Sequence, residues 1–199
     1  ATDITTDTPT NNFCTMNPLD SYITTATEGN LQIAQSSGSY QIITSTISVP
    51  KNGKWYCEVE MDTVDSGADD HMYMGIINRD LQIESASYDA HNNTIQWHHT
   101  ASDSSNGRFV DEGTTSYNNS AIRLSSGDIV MIAVDSDNDK LWFGKAGTWY
   151  DDDGSTDGDP AGNSNETAGD IYYSKSEWTF FCGGGGGEFV WKWNFGNPP

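Results

Sequence analysis

The run from Glu188 to Phe195, EFVWKWNF, sets Phe189, Trp191, Trp193 and Phe195 on one face of an extended chain and Glu188, Lys192 and Asn194 on the other. A period of two belongs to a β-strand, because successive side chains point to opposite sides of the pleat. Four large rings on one face need a second layer to press against, since each buries a large apolar area. The rings therefore read as core lining first and as a ligand platform second. The run KWYCEVEM repeats the pattern, with Trp55, Cys57, Val59 and Met61 opposite Tyr56, Glu58 and Glu60. IVMIAV, from Ile129 to Val134, is apolar on both faces and reads as a central strand covered on both sides.

Further strands are expected over Ile42 to Val49, Met72 to Ile77, Ile95 to His98, Leu141 to Gly144 and Trp178 to Cys182. No segment sustains a helical period, and Gly, Asn, Asp and Ser separate the short apolar runs. The pattern is all-β, and many short strands with turns between them suggest two packed sheets. A length of 199 residues suits one domain of this kind. No internal repeat stands out.

Charge limits the partners. With 9 Lys and Arg against 29 Asp and Glu, the formal charge is −20, and the summed field repels phosphate backbones and anionic lipid. Nucleic acid is thereby disfavoured as a partner. Acidity of this size makes the compact state repel itself, a penalty that salt relieves, so a saline setting fits the chain. No run of about 18 apolar residues suggests membrane insertion, and the polar opening ATDITTDTPTNN has neither the basic nor the apolar region of a signal peptide. A start at Ala1 fits a processed product or a piece of a longer chain. Cys14, Cys57 and Cys182 form no C-x-x-C pair and read as buried thiols, with one disulfide between two of them as the alternative.

Two stretches read as long loops, Thr100 to Asn119 and Asp151 to Asp170, and long loops in compact domains are often functional. In the second, Asp151, Asp152, Asp153, Asp157 and Asp159 lie close together with Gly154 and Gly158 to permit tight turns. Carboxylates so spaced can converge on a hard cation, so Asp151, Asp153, Asp157 and Asp159 are candidate calcium ligands, against the plainer reading of a hydrated acidic loop. The segment DSDNDKLWF also opens like a calcium loop, but the closing glutamate is missing and Ala146 stands at the twelfth position. A turn between two strands accounts for it better. The run Gly183 to Gly187 is read either as a flexible connection or as a place where another backbone approaches closely.

Catalytic chemistry has little support. Glu58, Glu60 and Asp62 share a strand face at spacings of roughly 6.6 Å, near the window for paired carboxyls on a glycosidic bond. A solvated or hydrogen-bonded polar face explains them better. His98 and His99 are neighbours on a strand and point to opposite faces, which argues against joint metal ligation, and His71 and His91 add no ligand spacing. No nucleophile elbow, phosphate loop or paired Cys/His zinc pattern occurs. The three sequons at Asn92, Asn118 and Asn165 would matter in a secreted eukaryotic protein.

Taken in order, GKWYCEVEM, YMGII, GDIVMIAVDSDNDKLWFGKAGTW and EFVWKWNFG resemble the SPRY domain: its aromatic-x-Glu-Val strand, the glycine-containing strand after it, its long hairpin and its closing Asn-Phe-Gly strand. The resemblance spans Leu31 to Gly196, and the hairpin is its most specific part. It implies a two-sheet antiparallel β-sandwich of the concanavalin A-like jelly-roll type over residues 31–199, with residues 1–30 as an N-terminal arm or linker packing on it. Loops on one face of that fold hold a peptide or protein partner, which singles out Asp80 to His91, Thr100 to Asn119 and Asp151 to Asp170. Tyr88, Trp97, Tyr117, Trp149 and Tyr150 are the candidate binding aromatics near those loops, since exposed rings supply stacking area with few rotamers to freeze.

The flanks TDTPTNNFCTMNPLD, EGNLQI and GDPAGNSN resemble SPRY-containing proteins of tailed bacteriophages, aquatic ones in particular. That resemblance implies a non-enzymatic virion component, a fibre, tail or head-surface protein exposed on the particle. Its partners would be a host-surface glycan or protein, or a neighbouring virion subunit. The alternatives are a purely architectural subunit that assembles with copies of itself, and a sandwich glycosidase.

Overall fold

The computed structural model describes residues 13–21, 25–36, 38, 40–65, 71–79, 93–100, 106–169, 171 and 177–196. They form two antiparallel sheets of seven strands each. The first runs in the order β1 (Met16–Ser21), β4 (Gln41–Ser48), β13 (Trp178–Gly185), β6 (His71–Asn78), β7 (Thr94–Thr100), β8 (Asn106–Asp111) and β9 (Thr114–Asn119). The second runs β12 (Thr148–Tyr150), β11 (Lys140–Lys145), β10 (Ile129–Asp135), β5 (Lys54–Val64), β14 (Phe189–Asn194), β3 (Gln32–Gln35) and β2 (Thr25–Thr27). A 3-10 turn at Ser120–Ile122 is the one helical element among the described residues, none of which forms a helix long and apolar enough to cross a membrane. Strands β1 and β2, which stand at one edge of each sheet, come from the stretch expected to be an arm.

The alternation sets the layers. Met72, Met74, Ile76, Trp97 and Phe109 of the first sheet face Val59, Met61, Val130, Ile132, Phe143 and Trp191 of the second, all in one buried cluster. Rings from both sheets meet inside it: Phe109 stacks on Phe143 at 5.7 Å, and the edges of Trp97 face Phe109 at 5.1 Å and Tyr150 at 5.6 Å. The outer side of the first sheet is buried too, with Ile42, Tyr73, Ile77 and Phe181 forming a smaller cluster. Cys57 and Cys182 are buried free thiols and Cys14 is a half-buried one, so no pair of them is bridged.

One expectation needs correction, and one open choice is resolved. The stretch Thr100 to Asn119 contains the hairpin β8–β9, closed by Glu112 and Gly113 with φ of 45° and 82°. Gly183 to Gly185 are neither loose nor a connection; they are strand residues of β13 between β4 and β6. Close approach is the reason for glycine there, because a methyl group at Gly183 would collide with the Gln41 carbonyl oxygen and the Tyr73 ring.

The segment DSDNDK is the turn of the β10–β11 hairpin, in which Asp135 pairs with Lys140. The buried Asp135 carboxylate accepts from the amides of Asp137 (3.1 Å) and Asn138 (3.2 Å), from Asn138 Nδ2 (2.9 Å), and from Lys54 at 3.2 Å. Burial alone would raise its pKa, but the hydrogen bonds from Asn138 and Lys54 and the Lys54 charge outweigh it and hold the carboxyl below its ordinary range. The aspartate spacing thus closes a turn in the way Asx residues commonly do.

Candidate functional site

Strands β5, β10, β11 and β12 leave an open aromatic surface on the outer face of the second sheet. Val130, Ile132 and Val134 of β10 point into the core, which turns Met131, Ala133 and Asp135 outward. Ala133 pairs with Tyr56 on one neighbouring strand and Trp142 on the other. A methyl group between two large rings leaves a trough. One residue along, Met131 pairs with Gly144, which in turn pairs with Trp149. Lacking a side chain, Gly144 leaves space for both the Trp149 ring and the Met131 methyl. The two-residue turn that returns β12 beside β11 is made by Ala146 and Gly147 with φ of 50° and 84°, the left-handed pair of a type I′ hairpin.

One wall of the trough comes from the segment between β12 and β13. Trp142 Nε1 donates to the Ser164 carbonyl at 2.9 Å, and Lys140 Nζ donates to the Asn163 carbonyl at 3.0 Å while pairing with Glu166. Thr167 Oγ1 donates to the Tyr150 carbonyl at 2.6 Å and accepts from the Phe143 amide at 2.9 Å. The stretch read as a long loop is therefore tied to the sheet, with Thr167 and Ala168 buried, as is Ile171 just after it. Its segment Asp159 to Ala161 stands over the trough and, with Trp55, Tyr56, Ala133, Trp142 and Trp149, encloses a groove of about 470 Å³. That volume falls in the range of small-ligand sites, roughly 300–1,000 Å³.

Polar groups at the groove are mostly engaged already. Lys54 pairs with Asp135, Tyr56 Oη donates to Glu58 Oε1 at 2.6 Å, and Trp55 Nε1 donates to the Asn52 carbonyl at 3.0 Å. The phenol of Tyr56 is raised above its ordinary pKa by desolvation first and then by its bond to the Glu58 carboxylate. Asp159 Oδ1 accepts from the Gly162 amide at 2.8 Å. The rings of Tyr56 and Trp149 meet edge to face at 6.2 Å, and Tyr56 is 50% exposed.

The expected binding aromatics separate. Trp149 lies in the groove. Trp97 is fully buried between the sheets, its Nε1 donating to the Ile122 carbonyl at 2.9 Å, and Tyr150 is buried against it; both are core residues and cannot present a face to a partner. Tyr117 is half-buried beside Phe109 and packs against Gly154, where any side chain would collide with its ring. Tyr88 and the region Asp80 to His91 lie outside the described residues. Of the groove's rings, sequence reasoning missed Trp55, Tyr56 and Trp142, the last of them almost wholly buried. Tyr56 carried a signal, its position opposite Cys57 and Val59 on an otherwise carboxylate-bearing face. Trp55 departs from the expected alternation, standing 41% exposed at the start of β5.

The proposed calcium ligands do not converge. Asp151 Oδ1 accepts from the amides of Asp153 (3.1 Å) and Ser155 (2.8 Å), Asp153 Oδ1 accepts from Ser155 at 2.9 Å, and Asp159 serves Gly162. Asp157 contributes its backbone carbonyl to Asn165 Nδ2 at 3.1 Å. The carboxylates of Asp151, Asp153 and Asp159 accept from nearby backbone amides, and among the described residues no three His, Cys, Asp or Glu side chains gather as a metal cage. Burial, followed by the hydrogen bond with Asp153, raises the Asp151 carboxyl, whereas hydrogen bonds from Ser155 lower Asp153. Glu58, Glu60 and Asp62 are likewise engaged: Glu58 by Tyr56 and Asn194, and the other two by Lys192, whose hydrogen bond holds the Asp62 carboxyl low.

No family model and no curated protein matches the sequence. The fold has clear counterparts among solved structures. The SPRY domain of human HERC1 superposes with a TM-score of 0.61 at 11% identity, covering 92% of this chain and 99% of that one. The two chains share a two-sheet antiparallel sandwich architecture. At this identity the likeness concerns the fold, a two-layer sandwich with very little helix, and the chemistry of the groove has to be argued from its own residues.

Proposed function

We propose that this chain is a non-enzymatic binding module, a SPRY-type sandwich that captures a protein or glycan partner in the groove over Ala133. The observation that carries the reading is a pair of partly exposed rings, Tyr56 and Trp149, held edge to face beside a trough whose floor is a rigid central strand. Sites set on strands hold their geometry better than sites on loops, and rings give contact area at low entropic cost. The partly exposed aromatic pair lies where Glu58, Glu60 and Asp62 are occupied by neighbouring side chains, which favours capture over hydrolysis.

Placement on the surface of a tailed-bacteriophage particle, with a host-surface molecule or neighbouring virion subunit as partner, is the finer part of this proposal. It draws on the resemblance of the flanking segments to phage SPRY proteins and on an acidic surface suited to a saline setting. A purely architectural role draws on Leu19, which is 95% exposed on the edge strand β1 and could pair with a second copy.

Adsorption of the isolated chain to host cells, together with a glycan array, tests the reading. Retention by the native chain that falls at least fivefold in Tyr56→Ala and Trp149→Ala supports it. No retention, combined with concentration-dependent self-assembly that Leu19→Asp abolishes in sedimentation, replaces it with the architectural role.

A further inference from the structure

The groove has a chemical bias of its own, and this inference rests on the binding-module reading above. A ligand rich in hydroxyl groups needs several unengaged donors and acceptors converging on it. The groove supplies few. Lys54 and Asp135 answer each other, the Tyr56 hydroxyl is committed to Glu58, and the indole N–H groups of Trp55 and Trp142 are committed to backbone carbonyls. What the groove does offer is ring surface and the Asp159 carboxylate, which keeps further lone pairs after its bond to Gly162.

The electrostatic setting points the same way. The groove lies between two acidic segments, the turn with Asp135, Asp137 and Asp139 and the stretch from Asp151 to Asp159 that carries five aspartates, in a chain of net charge −20. A cation is drawn to such a surface, and ring faces hold it through their quadrupoles.

We propose that the groove accepts the guanidinium group of an arginine on a protein partner, laid against the Tyr56 and Trp149 rings with Asp159 as its hydrogen-bond acceptor. The planar fork of arginine stacks on aromatic faces and meets a carboxylate with two N–H groups, which suits this arrangement better than a compact ammonium. The partner is thus a basic segment of protein.

Two blocked tripeptides test the assignment, acetyl-Gly-Arg-Gly-amide and its citrulline counterpart, which keeps the shape and loses the charge. Binding is followed through the backbone amide resonances of Ala133 and Thr148. The arginine peptide should shift both saturably, and the citrulline peptide should bind at least fivefold more weakly. Tyr56→Ala and Trp149→Ala should each weaken the arginine peptide at least fivefold although neither changes the net charge, and Asp159→Asn about threefold. Should either alanine variant misfold, Tyr56→Leu and Trp149→Leu take its place, and the citrulline comparison needs no variant.

Equal binding of the two peptides, or undiminished binding in both aromatic variants, overturns the assignment. So does a neutral oligosaccharide such as cellohexaose shifting the same amides at lower concentration, a result that leaves the binding-module reading standing. If neither peptide nor oligosaccharide shifts them, and host-cell adsorption is indifferent to Tyr56 and Trp149, both readings fall together.

Discussion

The second sheet uses tryptophan in two ways. On its inner face Trp191 and Trp193 of β14 are buried with Phe189, and Trp193 stacks on Phe195 at 5.1 Å. On its outer face Trp142 and Trp149 stand around Ala133, with Tyr56 across the trough. The inner rings pack on one another within the one buried cluster that also holds residues of the facing sheet. The outer rings flank a methyl group and a glycine, and the space those small side chains leave is a groove. Neighbour size, more than the identity of the ring, decides whether an aromatic residue becomes core or contact surface.

The sharpest way to break this contrast is to truncate one ring on each face. Trp191→Ala should lose about 3–5 kcal/mol of stability, the range for removing a fully buried ring when the cavity cannot collapse. Chemical denaturation of native and variant chains measures it. A loss under about 1 kcal/mol would mean that the inner face is less tightly packed than its complete burial implies.

How legible this was in the sequence depended on which side of a strand a residue serves. Strands β5, β6, β10, β11, β13 and β14 were readable because apolar residues alternate with wet ones, or run on where both faces are covered. The hairpin β8–β9 was not, for two physical reasons. Its turn uses Glu112-Gly113 where Asn-Gly or Asp-Gly would have been the familiar signal, and its edge strand TTSYNN needs no apolar face because most of it meets solvent. Nearness to a loop in sequence also misled at Trp97 and Tyr150, since it says nothing of which face the side chain takes. Trp149, beside Tyr150, takes the other face and lines the groove. Alternation puts Tyr56 on the wet face, but its cross-strand partner Ala133, which opens the trough beside it, becomes visible only once the register of β5 and β10 is known.

A pH titration separates the buried layers from the groove. His98 and His99 point to opposite faces of β7, yet both are buried. Desolvation, with the Arg123 and His71 charges adding to it, pushes His99 down to about 4, and burial with the Arg108 charge pushes His98 well below its ordinary value. In the unfolded chain these rings take a proton near pH 6.5, so between 6.5 and 4 the unfolded state binds more protons than the folded one. Stability is therefore complete above pH 6.5 and falls as the pH drops through that window. His99 alone contributes a slope of about 1.4 kcal/mol per pH unit, or about 3 kcal/mol by pH 4, and His98 steepens it. Urea denaturation at pH 7, 6, 5 and 4.5 checks this, and His99→Gln should flatten the slope by about one proton. A stability constant from pH 7 to 4.5 would place these rings in contact with water.

The smallest effect is the most discriminating. Trp149 is half-buried on the three-residue edge strand β12, and its recorded ring partner is Tyr56, in an edge-to-face contact of a kind worth about 0.5–1.5 kcal/mol. Trp149→Ala should therefore cost about 2 kcal/mol, the ring pair together with the apolar area the ring covers, a fraction of the loss at Trp191, while removing most of the binding at the groove. Stability and ligand retention have to be measured on the same sample, because the contrast lies in their ratio. If Trp149→Ala costs as much stability as Trp191→Ala, the outer rings are a second core layer, and the contact surface has to be sought elsewhere on the sandwich. If it costs little and binding falls, the small side chain of Ala133 is what leaves the trough open between the outward-facing rings, and Ala133→Leu should then fill the trough and abolish binding while Tyr56 and Trp149 remain in place.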